Sequence, residues 1–293
     1  MRKSKYLVLS SFYFDFNNDL TEITNVKKLF KKQNILDLFR FDKIKIIIAE
    51  EFSKHENFNF IYLPVSIEKI NEYAFWNCKI QILDLSNCIN LKNIERSVFY
   101  KNQIKYLKLP QTIENINNFV FENNQIKSLD LSQYIHLKYI GDYSFGSNQI
   151  KQLKLPKNIE EIRKNAFEDN QIESLDLSSC INLNIINECA FESNQIKQLK
   201  LPKNIEILDK YTFSINQIEI LDLSNCIKLK EILSDAFSDN PLKEIKILGN
   251  IEIEYDNYYK KDIWNIFARY YNNNKKKAGD YKYIDNKWQW YPL

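Results

Sequence analysis

The sequence predicts a repeat solenoid, with a parallel β-sheet on one face, irregular loops on the other and a cap at each end. Three observations carry that expectation. A Leu-x-Leu motif recurs around Asp84, Lys108, Asp130, Lys154, Asp176, Lys200 and Asp222, opens as Ile61-Tyr62-Leu63 and closes as Ile245-Lys246-Ile247. Phenylalanine keeps step at Phe75, Phe99, Phe121, Phe145, Phe167, Phe191, Phe213 and Phe237. Asparagine does the same at Asn102, Asn124, Asn148, Asn170, Asn194, Asn216 and Asn240, with Cys78 in the first place of that column. The spacing alternates, 24 residues from Asp84 to Lys108 and 22 from Lys108 to Asp130, so the unit is a pair of turns 46 residues long.

Each column has a physical reason. Alternate residues of a strand face opposite sides, so the two leucines of the motif point inward and the middle residue outward. One turn cannot bury its apolar edge alone, whereas a stack buries a continuous core. The phenylalanines are expected to stack as a spine on the far side of that core. The asparagine amides are expected to satisfy backbone groups at the bend, which are costly to bury unpaired. Nine such strands, at ~4.8 Å spacing, would form one parallel sheet about 40 Å long.

Residues 1–43 are expected to form an N-terminal cap: a strand-like run from Tyr6 to Phe16, then an amphipathic helix from Thr24 to Phe39 with Val26, Leu29, Phe30, Leu36 and Phe39 on one side. Residues 44–248 form the array, beginning with a degenerate turn that carries Ile46, Ile48, Ala49 and Phe52. Residues 249–293 are expected to form a C-terminal cap. Asp262 to Tyr271 reads as a helix with Ile263, Trp264, Ile266, Phe267 and Tyr270 on its apolar side. Asp285-Asn286 reads as the two-residue turn of a terminal hairpin. The cap aromatics read as a lid over the last turn, since an open sheet edge needs covering.

The turn pattern Asn-Gln-Ile-x-x-Leu-x-Leu-Pro-x-x-Ile-x-x-Ile-x-x-x-Ala-Phe, complete over residues 149–167 from Gln149 and Ile150 through Leu155-Pro156, Ile159 and Ile162 to Ala166-Phe167, resembles the BspA-type (Treponema pallidum-type) leucine-rich repeat. The resemblance covers roughly residues 44–248. It departs in the two-residue insertion of alternate turns and in the glycine usual after the second isoleucine, which only Gly141 keeps. It implies a leucine-rich repeat solenoid and a binding or adhesion role.

Chemistry is sparse. Four glycines in 293 residues argue against phosphate-cradling loops. A net charge of +3 with interspersed signs gives no footprint for nucleic acid, and Lys275–Lys277 reads as a solvated loop. No apolar run is long enough to span a membrane. His136 lies in a loop position that varies among polar residues, and His55 has no partner at motif spacing, so no catalytic residues, metal ligands or cofactors are assigned. Cys88, Cys180 and Cys226 share one column with Tyr134, whose neighbouring members stand two turns apart, about 10 Å, too far for disulfides and unable to converge on zinc. Cys189 stays unplaced. The glutamate column Glu68, Glu114, Glu160 and Glu206 reads as a solvent-facing edge.

The outward row Asp84, Lys108, Asp130, Lys154, Asp176, Lys200, Asp222 and Lys246 alternates in sign. It reads as a stabilising charge ladder, worth roughly 0.2–1 kcal/mol per pair, or as the floor of a binding face. The flanking row adds Tyr106, Gln152, Gln198 and Glu244 to that candidate face, together with Ile82, Ser128, Ser174 and Ile220. The expected function is a non-catalytic, monomeric scaffold that binds a protein partner. The alternatives are a cell-surface adhesin and a self-assembling repeat protein. The missing cleavage site, unpaired cysteines and absent Asn-x-Ser/Thr sequons favour the cytoplasm, while the resemblance favours the cell surface, and both stay open.

Overall fold

The computed structural model describes residues 14–16, 22–26, 35–39, 43–47, 52–53, 58–256 and 261–292. The chain forms two compact units, Met1–Lys127 with Tyr143–Gln149, and Ser128–Asp142 with Ile150–Leu293. Each is a parallel β-solenoid in which strands mostly of three residues alternate with strands mostly of two.

In the first unit the strands are β1 (Phe14–Phe16), β2 (Glu22–Val26), β3 (Ile35–Asp37), β4 (Ile46–Ile47), β5 (Phe60–Tyr62), β6 (Lys69–Ile70), β7 (Ile82–Asp84), β8 (Asn93–Ile94), β9 (Tyr106–Lys108) and β10 (Asn115–Ile116). The longer ones form the parallel sheet β3-β5-β7-β9. The start of the chain corrects one expectation. Glu22–Val26 and Ile35–Asp37 are strands, not the two ends of an amphipathic helix. Residues 27–34 lie outside the described residues. Strand β3 pairs in parallel with β5, and β2 with β4, so the repeat ladder reaches back beyond residue 44 to Glu22. Its outer end is the antiparallel pair β1–β2.

The second unit holds β11 (Ser128–Asp130), β12 (Tyr139–Ile140), β13 (Gln152–Lys154), β14 (Glu161–Ile162), β15 (Ser174–Asp176), β16 (Ile185–Ile186), β17 (Gln198–Lys200), β18 (Ile207–Leu208), β19 (Ile220–Asp222), β20 (Glu231–Ile232), β21 (Glu244–Ile247) and β22 (Glu252–Ile253). The cap follows as α1 (Ile263–Asn273), β23 (Gly279–Ile284) and β24 (Lys287–Tyr291). The single nine-stranded sheet is also corrected, because within this unit the longer strands form two separate sheets, β11-β13-β15-β17 and β19-β21-β23-β24.

The interior follows the sequence columns. Leu83, Leu85, Ile94, Phe99 and Ile104 of one turn are fully buried, and removing such side chains from water stabilises by roughly 1.5–3 kcal/mol each. The phenylalanine rings stack face to face at 5.0–5.7 Å from Phe52 to Phe145 in the first unit. In the second they stack at 5.3–5.5 Å from Phe167 to Phe237. Beside the spine each asparagine amide closes a bend. Asn216 Oδ1 accepts from Ile196 N at 2.9 Å, and its Nδ2 donates to the carbonyls of Phe191 and Phe213 at 3.0 and 3.1 Å. Asn102, Asn124, Asn148 and Asn240 repeat the arrangement. Cys78 substitutes a thiol, which donates to Phe52 O at 3.2 Å.

Each bend also carries two left-handed residues, two before and two after the phenylalanine. None is glycine: the first set runs Tyr73, Ser97, Phe119, Tyr143, Asn165, Cys189, Tyr211 and Asp235. Cys189 thereby finds its place, at φ 54° in this column. The second set includes Asn123 and Ser193, but also Ile215 at φ 51°, a conformation that is strained for a β-branched residue.

The C-terminal cap continues the core. Trp264 packs 5.0 Å from Phe237, and Tyr281 and Trp288 pack on Phe267, so these aromatics form a lid. Asp262 caps α1 by accepting from Asn265 N and also accepts from Asp239 N in the last turn, while Asn265 Nδ2 donates to the buried Asp235 at 2.7 Å. Strand β23 pairs antiparallel with β21 and covers its edge. Asp285 and Asn286 both have positive φ, as a type I′ hairpin turn requires. At Gly279 a Cβ would collide with the Trp290 indole, whose Nε1 donates to Ala278 O at 3.0 Å.

Candidate interaction surface

The alternation of aspartate and lysine has a local cause. Each aspartate begins the longer loop of its pair. Asp84, Asp130, Asp176 and Asp222 accept from the backbone N–H of Ser86, Ser132, Ser178 and Ser224 at 2.9–3.0 Å, and from their hydroxyls at 2.5 Å. This is the Asx turn that a short carboxylate makes two residues on. Lysine instead precedes a Leu-Pro exit, at Pro110, Pro156 and Pro202. The serine bonds, more than the lysine across the strand, hold the Asp130 and Asp176 carboxyls below the ordinary carboxylate range.

The second carboxylate oxygen reaches the lysine of the next strand, at 3.9 Å for Lys108–Asp84, 3.3 Å for Lys154–Asp130 and 3.4 Å for Lys200–Asp176. Lys246 turns instead to Glu244 at 3.5 Å. The row is therefore a set of pairs, each inside one 46-residue unit. Backbone pairing follows the same grouping. Strands β11 and β13, β15 and β17, and β19 and β21 match at all three residues. Between groups the match thins: β13 and β15 meet only at Gln152 and Ser174, and β17 and β19 belong to different sheets.

Tyr106, Lys108, Asp130, Gln152, Lys154, Asp176, Gln198, Lys200 and Asp222 are exposed, and Asp84 is half-buried. Glu244 and Lys246 are half-buried as well, in register with Lys282 and Asp280 of the cap hairpin. The composition of the flanking row differs between the units. In the first, Phe60, Ile82 and Tyr106 stand in register, beside Tyr62 on the charged row. Tyr62, Ile82 and Tyr106 are 38–45% exposed, and the Lys108 ammonium lies 5.5 Å from the Tyr106 ring centre. In the second, the row is polar from Ser128 to Gln198, then turns apolar at Ile220. Phe60 and Tyr62 were absent from the candidate face read from the sequence, although the 22-residue spacing to Ile82 and Asp84 places them on it.

The glutamate column is a second set of cross-turn pairs. Lys45–Glu68, Lys92–Glu114 and Lys138–Glu160 each measure 2.9 Å. Where Asn184 replaces the lysine, Glu206 turns to Lys230 at 2.6 Å. All five cysteines are free and buried. Burial pushes the thiols of Cys88 and Cys226 up to about 12 and that of Cys180 to about 11, which suppresses the reactive thiolate. His136 is exposed, and His55 lies outside the described residues. Among the described residues no group of three or more His, Cys, Asp or Glu side chains is arranged to hold a metal, and no helix is long and apolar enough to cross a membrane.

The model for the BspA type leucine rich repeat region matches residues 21–145 and 138–263 in six copies. Among solved structures, a leucine-rich repeat protein from Bacteroides ovatus aligns with a TM-score of 0.62 at 17% identity, covering 84% of this chain. The pneumococcal vaccine antigen PcpA aligns with a TM-score of 0.44 at 18% identity over 75% of this chain. The chain spans 66% of the length of the first and 64% of the second. Curated proteins yield no match. With the repeat model matching most of its length, and the strand, spine and asparagine columns built as described, the chain belongs to the BspA-type leucine-rich repeat family.

Proposed function

We propose that this protein is a non-catalytic scaffold that binds a protein partner through the strand face of its first unit. The observation that carries this reading is the exposed group Tyr62, Ile82 and Tyr106 with half-buried Phe60, on a rigid sheet beside the Asp84–Lys108 pair. Aromatic side chains dominate binding energy at protein interfaces because they bury large area at small entropic cost. The aspartate–lysine row supports the turns rather than the partner, since each of its aspartates is committed to a serine loop.

The test is quantitative affinity capture from the source cells with three proteins of confirmed fold. These are the wild type, the triple variant Tyr62→Ala, Ile82→Ser, Tyr106→Ala, and the double variant Lys108→Glu, Lys154→Glu. A protein enriched by the wild type, lost by the aromatic variant and kept by the lysine variant supports the reading. Loss with the lysine variant alone would move the site to the charged row. A self-assembling reading has its own observation, the outer position of β24 in its sheet. That reading requires size in solution to rise with concentration.

A further inference from the structure

A second site lies in the second unit, where the strand face opens. Strand β17 ends one sheet and β19 begins the next. Two open grooves, of about 670 and 570 Å³, meet there on Leu199, Lys200 and Asp222. Leu199, the inward middle residue of its strand, is partly uncovered, whereas Leu175 and Leu221 on the neighbouring strands are 1% exposed.

The walls carry two kinds of unspent chemistry. The first is apolar. Ile227 is 68% exposed, more than any other large apolar side chain among the described residues, and Ile220 is 58% exposed. Ile227 belongs to a column with Ile89, Ile135 and Ile181 that recurs with the repeat. Ile220 does not follow its own column, since the positions before it in this unit are serine and glutamine. The second is positive charge. The carboxylates of the groove are occupied, Glu219 by Lys243 at 2.8 Å and Asp222 by Ser224. Lys200 is balanced by Asp176. Lys197 and Lys203 are exposed and form no ion pair among the described residues.

We infer that this groove binds an extended peptide segment of a partner protein that presents both acidic and large apolar side chains on one face. The acidic groups meet Lys197 and Lys203, and the apolar groups cover Ile220, Ile227 and the uncovered edge of Leu199. A nucleic acid fits less well, because the phosphate chain would pass Glu219 and Asp222 while leaving both isoleucines in water. The inference is independent of the Tyr62–Tyr106 surface.

The test uses the full chain and fluorescence anisotropy with four labelled probes: an octapeptide of the repeat Leu-Leu-Glu-Glu, which sets leucine and glutamate in turn along each face of an extended chain, the same peptide with lysine for glutamate, one with serine for leucine, and an oligothymidylate. The expected result is saturable binding of the leucine–glutamate peptide alone, weakened about fivefold or more by Lys197→Glu with Lys203→Glu, and by Ile220→Ser with Ile227→Ser. Ile89→Ser, at the equivalent loop of the first unit, should leave it unchanged. All substitutions are at exposed positions, and equal melting temperatures confirm the fold. Equal binding of the lysine peptide, binding of the oligothymidylate instead, or indifference to both double variants would overturn the assignment. None of these outcomes alters the capture result for the first unit, so the two readings fail separately.

Discussion

In the first unit the flanking row of the strand face reads Phe60, Ile82, Tyr106; in the second it reads Ser128, Gln152, Ser174, Gln198 before it reaches Ile220. Beneath these different faces the interiors are the same. Phe99 stacks on Phe121 at 5.7 Å in one unit, and Phe191 on Phe213 at 5.5 Å in the other, with parallel planes in both. Asn124 and Asn216 make the same bonds to the turns before them. The comparison separates what stacking demands from what it leaves open. A column that points inward is packed by both neighbouring turns, whereas an outward position is held by its own loop and by exposed ion pairs across the turn.

If the interiors are equivalent, Phe121→Ala and Phe191→Ala should cost the same, about 3–5 kcal/mol each, by leaving a ring-sized cavity in the spine. Urea unfolding monitored by circular dichroism measures this, and a cost confined to one unit would break the equivalence. Next in size is the asparagine column. Asn124→Ala or Asn216→Ala strands a buried N–H and two phenylalanine carbonyls, a loss of about 2–3 kcal/mol. Hydrogen exchange of the Ile104 and Ile196 amides should accelerate selectively in the matching variant.

The left-handed positions offer a reciprocal test. Ile215 and Asn123 occupy one column, at φ 51° and 55°. Ile215→Asn should stabilise the second unit by about 1 kcal/mol, and Asn123→Ile should destabilise the first by a similar amount, read as opposite shifts in melting temperature.

The smallest effect concerns acid. Asp130 and Asp176 titrate below the ordinary carboxylate value in the folded chain, chiefly through the Ser132 and Ser178 hydroxyls. Their contribution is therefore complete above about pH 4 and disappears as pH falls through the depressed folded values. Because both carboxyls are exposed, the loss should stay below about 1 kcal/mol. The double variant Asp130→Asn, Asp176→Asn should flatten that part of the stability–pH curve, and an unchanged curve would assign the acid response to other groups.

Most of the array was legible because repetition averages out local ambiguity: eight copies of a phenylalanine at constant spacing have one explanation. The start of the chain shows the opposite case. Ile35-Leu36-Asp37-Leu38 copies the later Ile82-Leu83-Asp84-Leu85 residue for residue. Yet Val26, Leu29, Phe30, Leu36 and Phe39 also satisfy a helical period, and the helical expectation failed at both ends. Pairing with Phe60–Tyr62 decides for the strand, and that is a contact between turns. The left-handed column could not be found by inspection at all. Tyrosine, serine, phenylalanine, asparagine, cysteine and aspartate share no chemistry, and the glycine that marks such positions elsewhere is missing from every one.

By itself the sequence determined the repeat, its 46-residue period, the inward columns and the family, since these rest on residue types recurring at fixed intervals. The tertiary structure decided which outward residues act together. Asp84 with Lys108, and Phe60 with Ile82 and Tyr106, are groupings set by register between strands, and Ile220 and Lys197 line one groove. Strand register depends on backbone hydrogen bonds formed between turns some 22 or 24 residues apart. The opening between β17 and β19, where that register lapses, has no counterpart in the spacing of the chain.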